Sequence, residues 1–259
     1  HGLRVIELCQ GIAGPWAGRL LAGYGADVIK VEPPEGDRSR ALGPFPTDDP
    51  NPETGALHLH LNTGKRSIVG SVGDELVDRL IAGADIVLQS SADLDPDTIE
   101  DTHPGLVLVT ITSFGLTGSY NWCRGEEIVH YAIGGPMSAT GDPDREPLKM
   151  GGDIGQYQCG SLAATATLAA LASQQRNGRS IHVDMSNVDT QITSIDRRMT
   201  FLLYNAYRGE NVPRSGGYST SIFPGGCRPA LDGHVQVSTL MNWLPRMVAV
   251  MNDPEMSAL

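Results

Sequence analysis

Met150-Gly-Gly-Asp-Ile-Gly-Gln156 is the stretch whose residue types and spacing point most directly to chemistry. It sets one carboxylate, Asp153, among glycines at the start of an Ala-rich run. Glycine leaves the backbone open to a large ligand, and amides at a helix start face outward. A carboxylate placed there suits a nucleophile that works on an acyl thioester. It also suits a plain helix cap, because Asp153 followed three residues on by Gln156 is a capping-box-like pair. The two roles are compatible. Glu126 and Glu127 follow Arg124-Gly125 as adjacent acids. Two solvated carboxylates at a helix start is the simpler reading; the functional one turns one carboxylate into a pocket and the other to water. His130, one turn after Glu126, reads as a buried histidine with its hydrogen bonds satisfied.

Other chemistries fit less well. The seven histidines show no metal-ligand spacing, and the four cysteines (Cys9, Cys123, Cys159 and Cys227) lie far apart with no C-x-x-C pair. No metal site or disulfide framework is predicted, and reduced thiols fit a cytoplasmic protein. No serine stands in a G-x-S-x-G elbow. The net charge of −11 argues against nucleic-acid binding. No apolar run is long enough for a membrane span, and no export signal is visible at the start. Lys30, Arg38, Arg40, Lys65 and Arg66 nonetheless concentrate cations in one early segment, enough for a local phosphate site.

The elements that must position these residues alternate. Strands are predicted at Leu3–Leu8, Asp27–Val31, Ser67–Val69, Asp85–Leu88, Leu106–Ile111 and Ile181–Met185; Asp85–Leu88 and Leu106–Ile111 are short apolar runs typical of buried parallel strands. Helices are predicted from about Pro15 to Tyr24, Asp74 to Ala82, Glu126 to Ile133, Ile154 to about Gln175, and Asn187 to Tyr204. Residues 33–54 form a Pro-rich excursion that reads as a surface loop. With 259 residues, 40% of them apolar, the chain can build one large core and a smaller appendage. The alternation predicts an α/β fold: a Rossmann-like domain with a parallel sheet over 1–207, a Gly/Pro/Ser-rich linker or flap over 208–227, and the start of a smaller α+β domain over 228–259. In the last segment His234–Ser238 reads as a strand and Trp243–Met251 as a helix.

The first β-α turn invites a nicotinamide-dinucleotide reading, with Glu32 where a ribose-binding acid would stand. The glycines fall as G-x-x-G-x-x-x-G (Gly11, Gly14, Gly18), however, and a tight turn with close helix packing explains them better.

Taken in order, several stretches resemble the family III CoA-transferases, the CaiB/BaiF group that includes formyl-CoA transferase and α-methylacyl-CoA racemase. They are Leu3–Leu8 with Ala13-Gly-Pro15, Leu20 through Gly25 to Pro33, Gly36-Asp37 with Arg40, Asn62-Thr-Gly-Lys-Arg-Ser67, Ser113-Phe-Gly-Leu-Thr-Gly118, Gly152-Asp153, and Tyr218 to Phe223 with Asp232-Gly233. The resemblance implies transfer of CoA between an acyl-CoA and a free carboxylic acid, with Asp153 as nucleophile passing through an aspartyl-acyl anhydride and an aspartyl-CoA thioester. It implies Glu127 as an active-site glutamate and Gly216-Gly217 as a glycine flap over the site. It places Arg40, Lys65, Arg66 and Arg124 where the family holds CoA, with Ile12 and Ala13 beside them. It also implies coenzyme A as the substrate carrier, no metal, and an interlocked homodimer or a heteromer. Members of the family run on beyond the point matching Leu259, so the resemblance implies further residues.

The departures from the family pattern set expectations too. The histidine of racemase members is Glu126 here, and their small-domain acid falls at Met241, which favours transferase over racemase. A glutamine of formyl-CoA transferase falls at Ile12, against formyl or oxalyl specificity. Ser90-Ser-Ala-Asp-Leu94 replaces an Asn-aromatic-Arg-Pro-Gly run, which weakens the expected grip on the CoA nucleotide and keeps a non-catalytic, transferase-like subunit as a rival.

Overall fold

The computed structural model describes residues 2–46, 48–193, 198–212, 214, 225–238 and 240–251. Six strands make one parallel sheet: β1 (Arg4–Leu8), β2 (Asp27–Glu32), β3 (Arg66–Val69), β4 (Ile86–Gln89), β5 (Val107–Thr112) and β6 (Ile181–Ser186), in the order β3-β2-β1-β4-β5-β6. The register is continuous, with Val5 opposite Val28 on one side and Ile86 on the other. Because alternate side chains of a strand face opposite ways, each strand feeds two cores. Val5, Val28, Ile86, Leu88, Val107 and Val109 pack under α1 (Ala13–Gly23) and α6 (Ile154–Asn177). Ile6, Ile29, Val87 and Leu108 pack under α3 (Glu75–Ala82) and the short α4 (Ile99–Thr102) on the opposite face.

The remaining helices differ from the expected bounds in instructive ways. The Pro-rich excursion is followed by α2 (Ala56–Asn62), which its composition did not reveal. The helix α5 (Glu127–Ile133) starts one residue later than predicted, with Glu126 as its cap position. The long helix expected from Asn187 to Tyr204 is instead α7 (Asn187–Ile192), closed at Thr193, and α8 (Arg198–Arg208). Thr193 turns its hydroxyl back onto the Asp189 carbonyl, the competition with helix propagation that threonine brings.

The chain divides into two compact units, residues 1–134 with 150–198, and residues 135–149 with 199–259. In the second, β7 (Gly225–Ala230) and β8 (Gly233–Ser238) form an antiparallel hairpin, followed by a 3-10 turn at Met241–Trp243 and α9 (Leu244–Met251). The Arg214 guanidinium there donates to the carbonyls of Asp142 (3.0 Å) and Arg145 (2.8 Å). No described helix is long and apolar enough to cross a membrane.

In the first unit α1 lies directly on α6. A Cβ at Gly160 would overlap the Ala13 carbonyl oxygen, so glycine is what allows this approach. On its other side α1 covers charge rather than hydrocarbon. Lys30 Nζ donates to Glu7 Oε1 at 2.9 Å and to the Cys9 carbonyl at 2.7 Å, and pairs with Asp37 Oδ2 at 2.7 Å. Lys65 Nζ pairs with Glu7 Oε2 at 2.7 Å and donates to the Pro15 carbonyl at 2.8 Å. All four side chains are at most 1% exposed. A Cβ at Gly18 would overlap the Glu7 carboxylate, so this glycine within α1 makes room for the ion pair. Burial works against every charge here. For Glu7, Lys30 and Lys65 outweigh it and hold the carboxyl below its usual range; for Lys30, Glu7 and Asp37 outweigh it and raise the ammonium. Next to this quartet, burial is likewise outweighed at Glu32, where Arg40, the Ser67 hydroxyl and the Asp37 amide bring the carboxyl down to about 2.

Two outcomes are expected. Lys30→Met leaves Glu7 and Asp37 short of a counter-charge in a dry interior, and urea unfolding should show a loss of about 3–5 kcal/mol; a loss below about 1 kcal/mol would mean that the quartet is structurally idle. Carboxylates depressed in the fold stabilise it above their unfolded values and lose that contribution as pH falls through the folded value. The contribution of Glu32 should therefore be complete above its ordinary 4.5 and fade toward about 2. Urea midpoints measured across that window should fall less steeply in Glu32→Gln than in the parent.

Candidate active site

Strand order reverses between β1 and β4, and the carboxyl ends of parallel strands at such a point open onto a crevice. A cavity of about 710 Å³ lies there, lined by residues that follow the strands: Gln10 after β1, Ser90 and Ser91 after β4, Ser113 after β5, and Asn187 after β6. Ala13 and Gly14 at the start of α1, Gln156 in the first turn of α6 and His130 of α5 complete its inner part, and Arg38, Arg124 and Glu126 line it as well. Gly11 has a φ of 82°, and a Cβ on it would sit 2.7 Å from the Arg38 guanidinium. The open glycine turn thus seats Arg38 beside the crevice, where Arg38 lies 3.8 Å from Glu126.

Asp153 occupies the cap position of α6 (φ −115°, ψ 49°), yet its carboxylate makes no capping hydrogen bond, contrary to the capping-box expectation. Another acid has taken the amides. Glu127 Oε1 accepts from the Gly155 N–H at 2.7 Å and Oε2 from the Gln156 N–H at 3.2 Å. Glu127 is 5% exposed, so the expectation of two solvated acids holds for Glu126 alone. Gly155 permits the grip, since a Cβ there would stand 2.9 Å from Glu127 Oε1. Asp153 is half-buried behind Gly152, whose φ of 68° is in the left-handed region that favours glycine. A Cβ at Gly151 or Gly152 would meet nothing within 4 Å, so the backbone beside Asp153 is open. One turn on, Tyr157 packs edge-on against Trp16 at 5.1 Å; burial first and the Asp153 charge second push its phenol above the usual value. Asp153 is not among the residues lining the crevice, which reaches Gln156 one turn along.

Of the cations expected near a ligand, Arg124 lines this crevice, as does Ala13; Ile12 caps α1 and is buried. Arg40, Lys65 and Arg66 line a separate cavity of about 360 Å³. Each meets a carboxylate: Arg40 grips Glu32 at 2.7 and 3.0 Å, Lys65 is held by Glu7, and Arg66 pairs with Asp27. With both oxygens engaged by Arg40 and Ser67, Glu32 is committed inside the protein, which disposes of the ribose-binding role. Gly216 and Gly217 lie outside the described residues, and Met241 belongs to the second unit. No group of described His, Cys, Asp and Glu residues could hold a metal ion.

His130 meets half of its expectation and overturns the other half. It is 3% exposed, but neither ring nitrogen has a partner among the described residues. Burial pushes the imidazole below its ordinary value, against the pull of Glu126. Asn187 was not singled out from the sequence, and Arg38 entered only as one of the early cluster of cations. The position of Asn187 just past a parallel strand was the available signal for it; the seat of Arg38 depends on the turn at Gly11.

The model of CoA-transferase family III matches residues 1–259. Succinate–glutarate CoA-transferase of Agrobacterium fabrum is 37% identical over 90% of this chain and 61% of its own length. Succinyl-CoA:mesaconate CoA-transferase of Haloarcula marismortui is 32% identical over 99% of this chain and 68% of its own length. The chain therefore spans between 61% and 68% of the length of these two relatives. The crystal structure of a CAIB/BAIF family protein from Brucella suis superposes with a TM-score of 0.83 at 31% identity, covering 99% of this chain and 72% of that one. Sheet order, crevice and whole-chain match agree, and the chain belongs to CoA-transferase family III.

Proposed function

We propose that this protein transfers CoA between an acyl-CoA and a free carboxylic acid, with Asp153 as the nucleophile. The observation that carries the reading is the division of labour at the start of α6. Glu127 takes the Gly155 and Gln156 amides, which leaves the Asp153 carboxylate uncommitted to the helix beside open glycine backbone. A carboxylate is a modest nucleophile, but a thioester is an activated electrophile, and covalent catalysis splits one hard exchange into easier steps.

The steps balance without water or redox change. An Asp153 oxygen attacks the thioester carbonyl, the C–S bond breaks, and CoA leaves as thiolate from an anhydride. The thiolate attacks the Asp153 carbonyl of that anhydride, releasing the first carboxylate and forming an aspartyl-CoA thioester. The acceptor carboxylate attacks this thioester and expels the thiolate again. Attack of the thiolate on the acceptor's carbonyl then frees Asp153 and yields the new acyl-CoA. Arg38 and Arg124 are the crevice cations suited to the phosphates of CoA. The acids in the relatives' names (succinate, glutarate, mesaconate) suggest a dicarboxylic donor or acceptor. The resemblance adds a homodimer or a heteromer as the working form.

The test is to incubate the protein with acyl-CoA, trap with hydroxylamine and map the adduct by mass spectrometry. The adduct should fall on Asp153, and Asp153→Asn should lower kcat at least roughly a thousandfold; undiminished turnover in that variant would end the proposal. A second outcome concerns the grip beside it. Glu127→Gln keeps the shape but removes the charge and one of the two acceptors, since its NH2 cannot accept from a backbone N–H. It should cost about 1.5–3 kcal/mol in urea unfolding and lower kcat more than it raises KM. A change in KM alone would reassign Glu127 to substrate binding.

A further inference from the structure

Two buried polar groups in the crevice are unpaired, and both lie close to the start of α6. His130 is 3% exposed and Asn187 7%, and both line the cavity. Neither His130 nitrogen nor Asn187 Oδ1 has a hydrogen-bond partner among the described residues. Proteins pair nearly all such groups, because a buried unpaired one is costly. Both are also held in place. The Asn187 Nδ2 donates to the Thr112 carbonyl at 3.0 Å, which fixes Oδ1 as the atom left over. The His130 ring stands edge-on to Phe114 at 6.1 Å, and even a Cβ on Gly125 would come within 2.9 Å of its Nε2. The two helices that carry them pack tightly, since a Cβ at Gly134 of α5's end would overlap the side chain of Gln191 in α7.

We propose that His130 and Asn187 form a subsite for a hydroxyl carried by the acyl group, so that the enzyme favours hydroxy acids over the matching alkyl acids. The donor and acceptor inventory decides the ligand class. A neutral imidazole offers one N–H and one lone pair, while Asn187 offers an acceptor only. The occupant must therefore donate to Asn187 and pair with the imidazole, and a hydroxyl does both. A carboxylate would set its own lone pairs against Asn187 Oδ1. An alkyl group would leave every atom unpaired. Location assigns the hydroxyl to the acyl group. Glu127 stands one turn before His130 on α5 and holds the Gly155 amide two residues after Asp153. The subsite therefore belongs to the end of the crevice that reaches the start of α6, beside Asp153, an assignment to the acyl group that rests on Asp153 being the nucleophile.

The experiment compares kcat/KM of the whole protein for thioesters that differ by one hydroxyl: 3-hydroxybutyryl-CoA against butyryl-CoA, and 3-hydroxypropionyl-CoA against propionyl-CoA. The parent should prefer the hydroxylated member by roughly tenfold or more. His130→Leu removes two unpaired nitrogens without leaving a void, so its Tm should hold or rise while the preference collapses toward unity. His130→Gln, which keeps a donor and an acceptor, should restore part of it. Equal turnover of both members by the parent, or a preference unchanged in His130→Leu, overturns the proposal. So does an equal loss on both members together with weaker binding of free CoA, which would put His130 against the CoA arm. Hydroxylamine trapping at Asp153 keeps the outcomes separate: an adduct in the parent without a preference there sinks the subsite alone, whereas no adduct in any variant sinks the nucleophile.

Discussion

The buried quartet of Glu7, Lys30, Asp37 and Lys65 is the constraint on which the rest of the molecule depends. Two anions and two cations cancel, and their contacts run from β1 to β2, to the turn after β2, and to the segment before β3. A network of this kind adds little net stability over well-packed hydrocarbon, but losing one member strands the others. What it supplies is position. Lys30 also holds the Cys9 carbonyl, Lys65 the Pro15 carbonyl, and Asp37 Oδ1 the Ser39 amide. The turn between Cys9 and Pro15 is thereby clamped at both ends, which sets α1, and α1 meets α6 through Gly160 closely enough to fix where α6 begins. The candidate nucleophile is three contacts away from a salt bridge it never touches.

A helix start attracts negative charge, and here two carboxylates are within reach of one. If Asp153 capped its own helix, its oxygens would be spent on amides and poorly placed to attack. The arrangement avoids this by bringing Glu127 from α5 to do the capping. The same separation explains why adjacent acids have opposite fates: Glu127 is buried and hydrogen-bonded, while Glu126 is exposed at the rim beside Arg38.

Much of the scaffold was legible before any coordinates. The four inner strands fell on runs such as Asp27–Val31 and Leu106–Ile111, because burial on both faces leaves no polar alternation to blur them. Asp153 could be placed at a helix start from glycine and alanine alone. What sequence could not supply was partnership. Lys65 and Arg66 read as ligand-binding cations, yet one is 1% exposed against Glu7 and the other pairs with Asp27 across neighbouring strands. Those carboxylates lie dozens of residues away, and no local pattern links them. Asp153 with Gln156 matched a capping box, but a competing acid from another helix won the amides. His130 read as satisfied because buried histidines usually are; its lack of partners is a property of the crevice.

Charge that is matched inside the protein and polar atoms that are not therefore carry different messages. Lys30, Lys65 and Glu7 are matched charge for charge, and a ligand phosphate drawing on them would have to break ion pairs that hold the fold together. His130 and Asn187 oppose folding as they stand, since each brings an unpaired atom out of water. A fold that tolerates such atoms in one crevice, a few residues from an uncommitted carboxylate, has left recognition to be completed by the substrate. The quartet serves geometry, the crevice serves selection, and the start of α6 is where the two meet.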